Sequence, residues 1–294
     1  MKDRFAQSYS EVEAARPFQI RGHLRRMALG ALVLRDKLYG IESDLAQPRV
    51  QFLYVHHVFA DEENAFRKLL TSLQKHHEFI AYSKAVDLIL MQKVDRPLIV
   101  ISSDDGFKNN LRAAKILEEF GISGCFFVNP FTIDNLPFEV LKNFCKQKLN
   151  FPPVEFLNWS DVEELQKRGH EIGSHTMTHV NLAKLAEEAL RDEIATSYEI
   201  IKRRCGEPLH FAYPYGRFFH FNELAKKIVF ETGYRSCASA ERGCHVNLNY
   251  EMKLDDLLLL RDHVLLSWPL DHIKYFLAKN SRAARGISGK LERK

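Results

Sequence analysis

Two hydrophobic periods alternate along this chain. Short runs in which nearly every position is apolar or β-branched are separated by stretches where apolar residues recur at i, i+3, i+4 and i+7. The runs 50–55, 97–101, 124–128, 170–172, 209–212, 234–237 and 257–260 predict strands. Pro97-Leu-Ile-Val-Ile101 is of the continuous kind that a parallel sheet buries on both faces. Phe66, Leu69, Leu70 and Leu73 share one helix face, and Ala113, Ile116, Leu117 and Phe120 share another that ends at Gly121. Further helices are predicted from Ser160-x-x-Glu163, read as a capping box, to Gly169, over about 183–204, around Phe221, Leu224, Ala225 and Ile228, and from about 270. Residues 130–158, with Pro130, Pro137, Pro152 and Pro153, read as an inserted loop carrying one helix.

Repeated strand–helix units imply an α/β fold with a parallel sheet and helices outside it. Seven or eight strands suffice to close a barrel. The barrel domain is expected over 50–294. A helical, polar-rich extension is expected over 1–49, ending at Gln47-Pro48.

Composition narrows the partners. An apolar fraction of 46% and a charged fraction of 27% fit a soluble chain with a large core. The net charge of +4 is mild, and no run joins basic residues to aromatics that could stack on bases, so nucleic acid is excluded as a partner. The run 24–34 opens with Arg25 and Arg26 and continues mostly apolar. It is too short to cross a bilayer and too far in for a signal peptide, so it reads as a buried or half-buried helix, with contact to a membrane surface as the alternative. Cys125, Cys145, Cys205, Cys237 and Cys244 are odd in number and form no Cys-x-x-Cys pair. They read as reduced thiols of a cytoplasmic protein rather than a disulfide framework or a thiolate zinc site.

Chemistry gathers where the strands should end. Asp104-Asp105-Gly106 follows 97–101, His175-Thr-Met-Thr-His179 follows 170–172, Tyr213-Pro-Tyr215-Gly216 follows 209–212, and Arg261 follows 257–260. In a parallel barrel such ends share one face. Two histidines and one aspartate are the ligands of a catalytic divalent metal with open positions, and the second aspartate beside them is a candidate base. Each motif has a plainer reading alone: a capping turn, two unrelated histidines, a rigid turn. Their coincidence at four strand ends points to a metal-dependent hydrolase.

With their flanks, Ile101-Ser-Ser-Asp104-Asp105-Gly106, Gly169-His-Glu-Ile-Gly-Ser-His175-Thr-Met-Thr-His179 and Phe211-Ala-Tyr-Pro-Tyr-Gly216 resemble the three leading motifs of the polysaccharide deacetylases, the NodB-homology or carbohydrate esterase 4 family. The resemblance runs from about Val50 to Leu266, with Tyr54-Val-His56-His57 as the opening strand. It implies a distorted (β/α) barrel, one divalent metal, usually zinc, and removal of an N-acetyl group from an amino sugar in cell-surface glycan biosynthesis. It implies Asp104 as catalytic base, Asp105, His175 and His179 as metal ligands, and the Tyr215 backbone N–H as a donor to the oxyanion. Asp104 is expected to set an acid-side limb in the pH–rate profile.

Three departures accompany it. Ser102-Ser103 replaces the usual Thr-Phe. The third-motif arginine that orients the base is absent, Ala212 and Tyr213 standing there, and Arg261 is the candidate substitute. The final Leu-x-His motif, source of the general acid, becomes Leu260-Arg-Asp-His263, so His263 is carried as the acid, with His56 or His57 also able to reach. Tyr213 and Arg261 are placed against the substrate. A sugar N-deacetylase leads. A deformylase or other C–N amide hydrolase on this scaffold, and an inactive glycan-binding module, are the alternatives; Asp104 argues against the last. A cytoplasmic enzyme would meet its amino sugar nucleotide- or lipid-linked. The basic stretch 282–294 reads as a solvated tail, with attraction to phosphate or a membrane surface as the alternative.

Overall fold

A computed structural model describes residues 4–15, 29–35 and 40–291. The first part of the run 24–34 and the last residues of the basic tail lie outside them. The described residues hold nine strands: β1 (Arg49–Val55), β2 (Glu78–Phe79), β3 (Pro97–Ser103), β4 (Cys125–Val128), β5 (Glu171–Ser174), β6 (His210–Ala212), β7 (Ser236–Ala238), β8 (Leu258–Leu259) and β9 (Arg261–His263). They pair in parallel in the order β8-β7-β6-β5-β4-β3-β1-β9, while β2 shares one edge of β3 with β4.

The two ends of that order are one piece of chain. Leu258 and Leu259 pair with β7, the chain bends at Leu260, and Arg261–His263 pair with β1. A single extended segment thus bridges both edges into a nearly closed barrel, which removes the exposed strand edges. His245 fixes the bend: the Leu260 N–H donates to its Nε2 at 3.0 Å, and its backbone exchanges two hydrogen bonds with Val50, each 2.8 Å.

Period-2 alternation divides the core in two. Val50, Phe52, Leu98, Val100, Cys125 and Phe127 pack together inside the barrel. Their neighbours Leu53, Ile99, Ile101 and Phe126 pack outward under the helices, with Phe66, Leu70, Ile116 and Leu117. Polar residues obey the same rule. Asp262 faces outward beneath the C-terminal helix, where its carboxylate accepts from Gln51, Asn280 and Arg242 at 3.2, 2.8 and 2.9 Å. Its neighbour Arg261 faces in.

Several details differ from the sequence reading. The helix Trp159–Lys167 is capped by Asn158 with Asp161 closing the box, and Ser160 sits inside it; an N-cap side chain must precede the first turn, and Asn158 is where the chain is still extended. The 130–158 insertion carries two short helices, Pro130–Ile133 and Phe138–Phe144, rather than one. The helix expected over 183–204 runs from 187 to 205, with a π turn at Asp192–Thr196. Tyr82–Leu90 is a further helix. Within the N-terminal segment, Ala6, Tyr9 and Val12 are buried with Phe107, Phe144 and Phe156 of the insertion side. No described helix is long and apolar enough to cross a membrane.

The barrel seam predicts a pH dependence of stability. Burial lowers the His245 pKa to about 4, and burial followed by the Arg49 charge lowers that of His77 to about 4 as well. A depressed histidine pKa contributes stability that is present above the ordinary value of about 6.5 and is lost as pH falls towards the folded value. The denaturant midpoint should therefore fall between about pH 6.5 and pH 4. His245→Gln keeps an acceptor for Leu260 at any pH and should flatten that slope; an unaltered slope would remove His245 from the account.

Candidate metal centre and its carboxylate pair

The C-terminal strand ends converge on a cavity of about 360 Å³ lined by His56, Asp104, Asp105, His175, His179 and Tyr215, among others. Asp104 continues the inward-facing positions of β3, its N–H donating to Val55 O at 3.1 Å. Alternation would send Asp105 to the other face. A left-handed backbone at Asp105 (φ 72°) turns its carboxylate back to the same cavity. Two sequence neighbours thereby serve one site.

The His175–His179 motif is a loop after β5, held from several sides. The Asn129 amide donates to the His175 and Thr176 carbonyls. Glu193, on the π turn, accepts from the Thr178 N–H at 2.9 Å and the Thr178 hydroxyl at 2.5 Å. A π turn displaces one residue from the helical ladder, and here it delivers Glu193 to the loop. His175 Nδ1–H donates to Ala212 O at 2.7 Å, which leaves Nε2 facing Asp105 at 3.5 Å; His179 Nε2 lies 3.4 Å from the same oxygen.

The donor atoms of Asp105, His175 and His179 all lie within 4.8 Å of one another, and all three residues are buried. Asp105 Oδ1 has no hydrogen-bond partner. Burial and the adjacent Asp104 charge push the Asp105 pKa well above its ordinary value. An unpartnered buried carboxylate facing two imidazole nitrogens fits a divalent cation, and a carboxylate–His–His set leaves coordination positions for a reacting group.

Asp104 is the opposite case. The Arg261 guanidinium grips it through both nitrogens, each 2.8 Å from one carboxylate oxygen, and both residues are buried. Arg261 Nε donates to Ser239 O at 2.9 Å, and the guanidinium lies 4.5 Å over the Tyr54 ring. Burial alone would raise the Asp104 pKa, but Arg261, then His175, draw it down to about 2. Asp104 is thus ionised throughout the neutral range.

Arg261 thus stands where the missing third-motif arginine would act, arriving from β9. Arg261 lines the cavity, with its donors engaged by Asp104 and Ser239. Tyr213 also lines the cavity, with its buried ring stacked on Phe221 at 4.4 Å. His263 lies beside the site, its Nε2 3.0 Å from His56 Nδ1, and His56 Nε2 approaches Asp105 to 4.0 Å. Burial lowers the pKa of both, His56 to about 4, so both rings are neutral near pH 7. His57 instead bonds Glu62 at 2.8 Å. Tyr215 has a left-handed backbone (φ 63°), followed by Gly216 (φ 64°), where a Cβ would collide with Ala240.

The sequence profile of the polysaccharide deacetylases matches residues 91–237, half of the chain. The chain belongs to the polysaccharide deacetylase family. Over 75 residues, 26% of this chain, it is 33% identical to a peptidoglycan-N-acetylglucosamine deacetylase of Bacillus cereus, and the match spans only 34% of that relative's length. Among solved structures, IcaB from Ammonifex degensii shares the fold with a TM-score of 0.62 at 19% identity, over 78% of this chain and 98% of that one. The Streptococcus pyogenes deacetylase PplD, solved with acetate, does so with a TM-score of 0.61 at 15% identity, over 79% and 99%. The family barrel is therefore present almost whole.

The carboxylate pair yields a sharp test. In Arg261→Gln the strongest influence opposing the burial of Asp104 is lost, so its pKa should rise and move the acid-side limb of the pH–rate profile to higher pH. In Arg261→Lys a point charge replaces the two-pronged donor, and turnover should fall roughly 10²-fold with metal content unchanged. Parent-like profiles in both variants would show that Arg261 does not govern Asp104.

Proposed function

We propose that this deacetylase-family chain is a metal-dependent hydrolase that removes the acetyl group from an N-acetylated amino sugar. The observation that carries the reading is one cavity holding the buried Asp105, His175 and His179 set beside an arginine-clamped second carboxylate. Asp105, His175 and His179 would hold the ion, and zinc suits this mix of imidazole and carboxylate. When bound, it supplies Lewis-acid stabilisation of the charge that develops on the acetyl carbonyl.

The chain's own groups do the rest. Asp104, anionic and fixed by Arg261, accepts a proton from the attacking water. The N–H of Tyr215, a residue lining the cavity, donates to the carbonyl oxygen as it becomes an oxyanion. The C–O bond to water forms, the C–N amide bond breaks, acetate leaves, and the sugar nitrogen takes a proton. His56 and His263, hydrogen-bonded to each other at 3.0 Å, would relay that proton. The likeness to the Bacillus cereus peptidoglycan-N-acetylglucosamine deacetylase supports N-acetylglucosamine as the sugar class.

Acetate release from a panel of chitooligosaccharides, peptidoglycan fragments and nucleotide- or lipid-linked amino sugars tests the reading. Asp104→Asn should keep its metal while turnover drops by about 10²–10⁴, the usual share of a general base. Asp105→Ala should lose both metal and activity. Formate release instead would favour the deformylase alternative. Glycan binding by metal-loaded protein without any release would leave only a binding module.

A further inference from the structure

The N-terminal segment reaches the cleft without entering it. Residues 4–15 carry the short helix Tyr9–Ala14, whose N-cap Ser8 accepts from the Glu11 N–H at 3.3 Å. Ala6, Tyr9 and Val12 recur every third position and are buried, so this arm has one apolar face. None of residues 4–15 lines the cavity, although His57 on one wall and Phe151 on the other do.

The arm is pinned to both walls. On one side the Asp61 carboxylate accepts from the Tyr9 N–H at 2.9 Å, the Ser10 N–H at 3.0 Å and the Ser10 hydroxyl at 2.6 Å. Asp61 belongs to the 3₁₀ turn Ala60–Glu62, and the next residue, Glu62, holds His57 at 2.8 Å. One turn thus offers one carboxylate to the arm and the next to the cleft. On the other side the Ala6 N–H donates to Pro153 O at 2.8 Å, and Phe5 meets Phe138 edge-on at 4.9 Å. Rings fill the space between the pins. Tyr9 stacks on His57 at 5.2 Å, and His57 lies 5.6 Å from Phe151.

We propose that this arm is a strap that fixes the two cavity walls relative to each other, with Tyr9 and Asp61 as positioning residues that act through His57 and Phe151. The insertion needs such a support. Its two helices have four and seven residues, too short to hold themselves, so its shape is set by what it packs on. Leu141, Phe144, Val154 and Phe156 pack in one cluster with the apolar face of the arm. With the arm displaced, that surface meets water and the 148–151 segment loses its backing. A wall ordered before the ligand arrives spares the ligand that ordering cost. The reacting groups sit at the ends of β3, β5 and β9, to which neither pin attaches. The strap therefore governs how a ligand is held rather than how the amide breaks. Its effect on turnover rests on the deacetylase reading above; its effect on the wall does not.

The test uses the full metal-loaded chain with Asp61→Ala, Tyr9→Ala and the conservative Tyr9→Phe. Asp61 is exposed, so its variant tests the strap without endangering the fold. Hydrogen–deuterium exchange, read peptide by peptide, needs no substrate. Residues 145–151 should exchange roughly tenfold faster in both Ala variants, with β3 and β4 at parent rates and Tyr9→Phe like the parent. Acetate release from the β-linked tetramer of N-acetylglucosamine should show KM raised roughly three- to tenfold, with kcat and metal content held. Parent-like exchange at 145–151 in both Ala variants would overturn the strap. Faster exchange spread evenly over the barrel, with a lower melting temperature and parent-like KM, would overturn it too, leaving the arm as general packing. Local loosening with unchanged KM would overturn the positioning role of Tyr9 and Asp61. If the parent hydrolyses no acetylated sugar, the deacetylase reading falls, and the exchange result alone upholds or overturns the strap.

Discussion

The Arg261–Asp104 pair is the interaction on which both barrel and site depend. Arg261 opens the last strand, so the segment that bridges the two sheet edges is the one that carries the guanidinium under the catalytic face. A buried ion pair gains little net stability over an apolar pair, because desolvation offsets most of the attraction. Losing one partner is another matter: an isolated buried charge costs about 3–5 kcal/mol. The pair therefore acts as a register lock. Any slip of β9 against β1 would pull the guanidinium from the carboxylate and leave both unpaired. Closure of the barrel and ionisation of Asp104 are set by one contact.

Next to that compensated carboxylate stands one that is not. Asp104 and Asp105 are adjacent, both buried, and shifted in opposite directions, because only one has a fixed cation. Bringing both to one face requires a left-handed residue, and the strain recurs. Asp105, Thr176, His179 and Tyr215 all have positive φ. For a β-branched Thr or a bulky Tyr that backbone is costly, of order 1–3 kcal/mol each, and it persists only where the surroundings dictate it. Here they do: Asn129 and Glu193 hold the histidine loop, and Ala240 leaves Gly216 no alternative. Backbone strain is concentrated where donors must converge.

Much of this was legible in the chain. Strands β1, β3 and β4 announce themselves because burial on both faces leaves unbroken apolar runs, and the helix face built on Phe66, Leu69, Leu70 and Leu73 is where periodicity puts it. The motif residues name their chemistry by type and spacing. What stayed hidden follows from the same physics. β9 is Arg-Asp-His, three polar residues each satisfied by a partner distant in sequence, so no hydrophobic signal marks it as a strand. β2 has two residues, too few for any period. The choice for Arg261 between substrate contact and base orientation depends on a 2.8 Å distance to a residue 157 positions away, which no local pattern encodes.

The clamp on Asp104 also limits it. A carboxylate drawn down to about 2 is a weaker base than a free aspartate, and general-base efficiency falls with basicity. What Arg261 gives in return is geometry: a carboxylate with both oxygens gripped from behind cannot rotate away from the cavity. A base of the kind proposed for Asp104 is effective only towards a proton already loosely held, which would tie its usefulness to Asp105, His175 and His179 beside it. Neither half of the site is then sufficient alone. The strained turn at Asp105 is the structural expression of that dependence, because it brings the Asp105 carboxylate to the face where Asp104 already points.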